Sequence, residues 1–187
     1  MPAIGVLALQ GDFEAHLRAL RGTGVEAREV RRCGDLRGLL GLVLPGGEST
    51  TLLNLMRDEP WFEAIRDFHR GGGAFFATCA GAILLAREVV GPSQASLGLL
   101  DAVVERNAYG RQVDSFEASV DVPALGGSVE AVFIRAPRFR ALGPRVDVLA
   151  RHEGEPVLVR EGRILAATFH PEIAGDGRLH RLFASSS

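Results

Sequence analysis

Residues 74–86 read Ala-Phe-Phe-Ala-Thr-Cys-Ala-Gly-Ala-Ile-Leu-Leu-Ala, and no other stretch constrains the fold as much. A short apolar run, set off by Gly71-Gly72-Gly73, stops at Cys79, and an Ala- and Leu-rich run begins straight after it. The first run has the character of a buried strand and the second that of a helix. A residue caught between strand and helix sits on a sharp turn with its side chain held out, as a nucleophile elbow requires. The helix start behind it supplies unpaired N–H groups and partial positive charge, which favour the reactive thiolate. The plain alternative is a small buried core cysteine. Gly81 favours the elbow, because a small residue there lets the turn close.

The rest of the chain supports a sheet around that strand. Ala3 to Leu9 is almost wholly apolar, as a strand covered on both faces is, and Asp12 is a candidate N-cap for a helix to about Arg21. Glu26–Arg31 and Leu42–Leu44 are further strands; helices are expected from Ser49 and from Pro60 to about Arg70. Strands alternating with helices predict βαβ units and a parallel, doubly wound sheet. The second half reads as short strands at 103–105, 119–122 and 129–134, then a meander over 146–150, 156–160 and 164–169, and a closing helix over 179–184. With no repeat and no linker, the 187 residues are expected to form one domain.

Composition excludes several functions. The net charge of −2 offers no electrostatic grip on nucleic acid or anionic membrane, so neither partner is expected. No apolar stretch reaches the roughly 18 residues of a membrane span, and no secretion signal is visible. Two cysteines, Cys33 and Cys79, make no disulfide framework and suit a reducing, cytoplasmic compartment. All 21 basic residues are arginine, which excludes a lysine Schiff base, a P-loop lysine and a lysine general base.

His170-Pro171-Glu172 is a second constellation. In extended backbone, residues two apart point to the same side, roughly 6.5–7 Å apart at the α-carbons. Pro171 holds that geometry, so Glu172 can reach one ring nitrogen of His170 and leave the other for a nucleophile. A carboxylate-oriented histidine beside a cysteine both makes a thiolate and later delivers its proton. By itself the tripeptide is better read as a strand end with a surface carboxylate and a packed histidine; only together with the cysteine elbow does it favour a catalytic pair. Zinc accepts Cys, His and carboxylate, but no close ligand pair accompanies these three, so no metal is expected. Pro45-Gly46-Gly47-Glu48-Ser49-Thr50 is the third constellation, at the carboxyl edge of a strand, where ligands bind in doubly wound sheets. Its glycines let backbone N–H groups approach a reacting carbonyl, as an oxyanion hole demands. The plain alternative there is a strand-to-helix turn with Ser49 as N-cap.

Taken together, the Cys79-Ala80-Gly81 elbow, the Gly46-Gly47 loop and His170-x-Glu172 resemble the class I (triad) glutamine amidotransferases. Residues 5–11, 46–51, 106–117 and 133–137 narrow this to a resemblance with the glutaminase subunits of pyridoxal 5′-phosphate synthases, spanning nearly the whole chain. Many members carry glycine two residues before the nucleophile, where this chain has Ala77.

That resemblance implies a three-layer α/β/α flavodoxin-like domain with a mostly parallel central sheet. It implies that Cys79 attacks the side-chain amide of L-glutamine to form a glutamyl thioester. His170, oriented by Glu172, would protonate departing ammonia and then activate water. Backbone N–H groups near Gly47 and Ala80 would hold the oxyanion; losing one such donor costs about 3–4 kcal/mol. Gly47, Glu48, Ser49, Arg106, Ile134 and Arg135 would bind glutamine, an arginine meeting the α-carboxylate and Glu48 the ammonium. The implied partner is the synthase subunit, a (β/α)₈ barrel that takes the ammonia, and no cofactor is implied. Two other classes stay open: a hydrolase of the related cysteine-elbow superfamily, and a binding module with a silenced site. Glutaminases serving other acceptors share the triad motifs.

Overall fold

The computed structural model describes residues 3–108 and 115–187; residues 109–114, part of the stretch that carries the resemblance, lie outside the described residues. The apolar runs form the middle of a seven-stranded sheet. Its strands are β1 (Ala3–Leu7), β2 (Ala27–Val30), β3 (Leu39–Leu44), β4 (Ala74–Thr78), β10 (Asp147–His152), β11 (Glu155–Glu161) and β12 (Ile164–Ala167), in the order β10-β11-β12-β4-β3-β1-β2. Every pairing from β12 across to β2 is parallel, and only the β10–β11–β12 meander is antiparallel. Because β1 and β4 are buried at every position, they need apolar residues on both faces, which is why alternation is absent from them.

The helices divide between the two faces. One face packs α2 (Ser49–Leu55), α3 (Trp61–Arg70) and α4 (Ala80–Leu85) around Leu44, Phe75 and Ala77. A small sheet of β5 (Ala86–Val90), β6 (Leu100–Glu105) and β9 (Arg138–Leu142) joins this core. On the other face α1 (Phe13–Arg21) and α5 (Arg178–Ala184) cover Val6, Val43 and Phe76. The antiparallel hairpin of β7 (Ser115–Val122) and β8 (Gly127–Ile134) packs there too. The expected three-layer arrangement with a mostly parallel sheet is therefore observed. No described helix is long and apolar enough to cross a membrane.

Three local expectations are corrected. The helix after Cys79 ends at Leu85; Ala86, read as the end of that run, opens the strand Ala86–Val90, which the sequence left unassigned and which pairs with β6. Glu48, not Ser49, caps α2: its carboxylate accepts from the N–H groups of Thr50 and Thr51. The last strand stops at Ala167 rather than Phe169. Its parallel partner β4 ends at Thr78, and the chain turns away at Cys79 after its N–H bonds Ala167 O at 2.9 Å. The backbone beyond finds a new partner when the His170 N–H donates to Val132 O, 2.8 Å away on β8.

Candidate functional site

Cys79 stands at φ 47°, ψ −106°, between β4 and α4. A positive φ in a non-glycine residue is strained and persists only where the surroundings enforce it. Here the clamp is tight: a Cβ on Gly81 would lie 2.1 Å from Leu44 O, so glycine alone lets α4 sit against β3. Ala77, where many members of the resembled family carry glycine, pairs with Leu44 and Ala166 in the buried sheet, and the positive φ lies at Cys79.

The end of β12 delivers His170 and Glu172 to the same edge, because β12 and β4 are neighbours. His170 Nδ1 lies 2.8 Å from Glu172 Oε1, leaving Nε2 to the Cys79 sulfur. The pair forms across a bridge and a turn, not along a continuous strand, so extended spacing is not what joins them. All three side chains are buried. Burial works against a charged imidazole, yet bonds to Cys79 and Glu172 outweigh it and lift His170 to about 10. Burial likewise opposes ionised Glu172, but donors from His16 and His170 win and hold its carboxyl well below the usual range. These contacts favour the charged imidazolium at His170 and the ionised carboxylate at Glu172.

The glycine loop lies against this pair. A Cβ at Gly46 would come within 2.3 Å of His170 Cε1 and 3.2 Å of Cys79 Cβ, so histidine and cysteine converge on a spot only glycine leaves open. Gly47 has φ 139°, and a Cβ there would strike the Gln10 amide at 2.1 Å. Gln10 bridges the loop: its Oε1 accepts from Glu48 N–H at 3.0 Å and its Nε2 donates to Gly46 O at 3.4 Å.

These elements wall a cavity of about 550 Å³. Cys79 and His170 line it, and so do all six expected glutamine contacts: Gly47, Glu48, Ser49, Arg106, Ile134 and Arg135. Ala80 is buried at the first position of α4, directly after Cys79. Burial tends to raise the Glu48 carboxyl, but hydrogen bonds from Thr50 and Thr51 outweigh it and hold it at about 2. Arg106 Nη2 stands 3.9 Å from Glu48 Oε1 and 3.2 Å from Thr50 Oγ1, so a cation and an anion share one wall. Ile134 O is 3.8 Å from Cys79 Sγ. Such a wall, with opposite charges near a thiol, suits a small zwitterion carrying a carbonyl.

Sequence reasoning missed several participants. Gln10 lay inside a stretch that carried the resemblance but was assigned no role. Gln94, whose Oε1 accepts from the Ser49 hydroxyl at 2.9 Å, carries no local signal. His16 and His180 come together behind Glu172 from opposite ends of the chain.

Comparison with known proteins agrees with the geometry. The model of the SNO glutamine amidotransferase family matches residues 6–186. A Thermus thermophilus protein named pyridoxal 5′-phosphate synthase subunit PdxT is 57% identical over 182 residues, covering 96% of this chain and 95% of that protein. A Deinococcus radiodurans protein of the same name is 52% identical over 185 residues, covering 96% and 94%. A crystal structure of a glutamine amidotransferase superposes with a TM-score of 0.92 at 54% identity, covering 98% of this chain and 97% of that one. With that family's model matching residues 6–186, and with the elbow, His170 and the glycine loop lining one cavity, the chain belongs to the SNO glutamine amidotransferase family.

Proposed function

We propose that Cys79, His170 and Glu172 are the catalytic triad of a glutaminase that occupies all 187 residues as one domain. The reading is carried by one observation: a strained cysteine and a carboxylate-backed histidine meet at Gly46 on the wall of a cavity holding opposite charges. The chain hydrolyses L-glutamine to L-glutamate and ammonia. It passes the ammonia to the synthase subunit that builds pyridoxal 5′-phosphate, as the name of its relatives implies.

In the first step the Cys79 thiolate attacks the side-chain amide carbon, and the carbonyl oxygen becomes an oxyanion. The N–H groups of Gly47 and Ala80 receive that charge, the first held open by the Gln10 contact and the second unpaired at a helix start. His170 gives its proton to the departing nitrogen, and a thioester remains. The same imidazole then takes a proton from water, whose oxygen attacks the thioester and releases glutamate. Arg106 and Arg135 hold the α-carboxylate, Glu48 the α-ammonium, and Ser49 and Ile134 the length of the side chain between them. With two free cysteines and no lysine to hold a sugar as an imine, the chain works in the reducing cytoplasm and leaves assembly to its partner.

The test uses both purified subunits. The pair carrying Cys79→Ala should make no pyridoxal 5′-phosphate from glutamine and should recover synthesis when concentrated ammonium salt replaces glutamine. If no product forms even from ammonium, the chain does more than supply ammonia, and the reading fails.

A further inference from the structure

Behind the triad lies a closed set of polar side chains that hydrolysis of glutamine does not by itself require. His16 on α1 is fully buried, as are Thr78 and His180. His16 Nδ1 is 2.8 Å from His180 Nε2, while His16 Nε2 is 3.2 Å from Thr78 Oγ1 and 3.4 Å from Glu172 Oε2. The Thr78 hydroxyl oxygen in turn accepts from the N–H of Gly46 at 3.1 Å. Phe76 closes the set, edge-on to both histidine rings, with centroids 6.2 and 5.3 Å away. All of these side chains are buried, where an unpaired polar atom is costly, so each is expected to find a partner among its neighbours.

That accounting assigns the protons. Glu172 spends Oε1 on His170, and among the described residues His16 is the one donor standing near buried Oε2. Nε2 of His16 therefore carries a hydrogen, shared between the carboxylate and the Thr78 oxygen. His16 Nδ1 then accepts from His180 Nε2–H. This leaves His180 Nδ1, which has no partner, as a bare lone pair rather than an orphan N–H, the less costly outcome. Burial, and then the neighbouring His16, push His180 down to about 3, consistent with an uncharged ring that only sets a tautomer.

We infer that His16 is a positioning residue that ties the two halves of the catalytic site together: through Glu172 it fixes the plane of His170, and through Thr78 it fixes the Gly46-Gly47 loop. It touches neither nucleophile nor substrate. A carboxylate held at one oxygen can rotate about its last bond; held at both, it presents Oε1 to His170 in a single orientation. The loop bearing the oxyanion donor is registered to the same imidazole, so base and oxyanion hole keep a fixed separation. Outer partners of this kind typically change activity by about 10–100-fold when removed.

The inference rests on the glutaminase reading. Turnover of the unaltered chain with its synthase subunit tests that reading in the same assay, and the ratios among variants test His16. His16→Phe keeps an aromatic ring and removes the contacts to Glu172, Thr78 and His180; it should lower kcat about 30-fold or more while KM for glutamine stays within about threefold. His16→Gln returns an amide N–H to the place of Nε2–H and should recover most of that loss. In a Glu172→Gln background His16→Phe should add little, because the group it acts through is already gone. Thr78→Val, the same shape without the hydroxyl, should lower kcat about tenfold by freeing the loop. Should His16→Phe fail to fold, His16→Gln and Thr78→Val decide the matter. The inference is overturned if a folded His16→Phe turns over normally, if His16→Gln is as poor as His16→Phe with its fold intact, or if Thr78→Val is silent.

Discussion

The chain has two cysteines, and the structure gives them opposite surroundings. Cys79 is strained at φ 47°, locked between β4 and α4, and faces His170, whose contacts favour its charged form, in the site cavity. Cys33 begins a short 3₁₀ turn, half-buried, with its N–H donating to Glu59 Oε2 at 2.7 Å. Burial, and then the Glu59 carboxylate, push the Cys33 thiol up to about 11. One thiol faces His170, and the other is pushed up by burial and by the anion beside it, so surroundings and not residue type set how readily each forms a thiolate. The difference also shows what must be removed to make Cys79 as inert as Cys33.

The largest effect should come from the cation. His170→Ala removes both the acid and the partner of the thiolate and should lower glutamine turnover by about 10⁴-fold or more. Glu172→Ala leaves the base in place but free to rotate and should cost about 10²-fold. Steady-state kinetics on folded variants, checked by circular dichroism, decide the order. If the carboxylate variant were the more damaged, the roles assigned here would be reversed.

Clearance comes next. Gly46→Ala places a methyl 2.3 Å from His170 Cε1, so the imidazole must move away from Cys79. A displacement of about 1 Å in a catalytic group is enough to cost about 100-fold, with the charges of the site unchanged. Turnover within a fewfold of the unaltered chain would mean that the loop yields instead, and that glycine is not what keeps the pair together.

Much of this site was legible because its parts rest on local rules. An apolar run broken by Cys79 and resumed as a helix former needs no knowledge of the distant chain; His170-x-Glu172 was legible as a pair, though a bridge and a turn, not the extended spacing, bring the two side chains together. The apolar runs of β1, β3 and β4 were legible because strands buried on both faces leave no other use for such segments. The failures share the opposite character. Ala86-Arg87-Glu88-Val89-Val90 suits a helix as well as a strand, and what decides it is pairing with β6, Val89 opposite Val104. Arg138–Leu142 went unread as β9 because its alternating charges describe an edge whose partner, β6, lies far back in the chain. His16 looks like one histidine on the apolar stripe of α1. Its meaning depends on His180, 164 residues away, and on Glu172, and no local pattern carries that. The capping of α2 by Glu48 was masked by the better cap former Ser49 beside it.

The smallest effect sharpens the comparison from the side of Cys33. In the chain carrying Cys79→Ala, iodoacetamide reports on Cys33 alone. A thiol pushed up to about 11 is almost wholly protonated at neutral pH. Its labelling rate should climb about tenfold per pH unit between pH 7 and pH 10, since the thiolate fraction does so at any pH well below the pKa. Glu59→Gln keeps an oxygen for the Cys33 N–H but removes the negative charge, which lowers the thiol and should speed labelling at pH 8 by about twofold to fivefold. Burial, the larger cause, remains, so Cys33 stays slow. Glutamine hydrolysis by the otherwise unaltered chain with Glu59→Gln should not change, because Cys33 and Glu59 take no part in the site. If Cys33 labels at pH 7 as readily as Cys79 does in the unaltered chain, charge is not what separates the two thiols. If Glu59→Gln slows hydrolysis without loss of fold, the turn at Cys33 is coupled to the elbow after all.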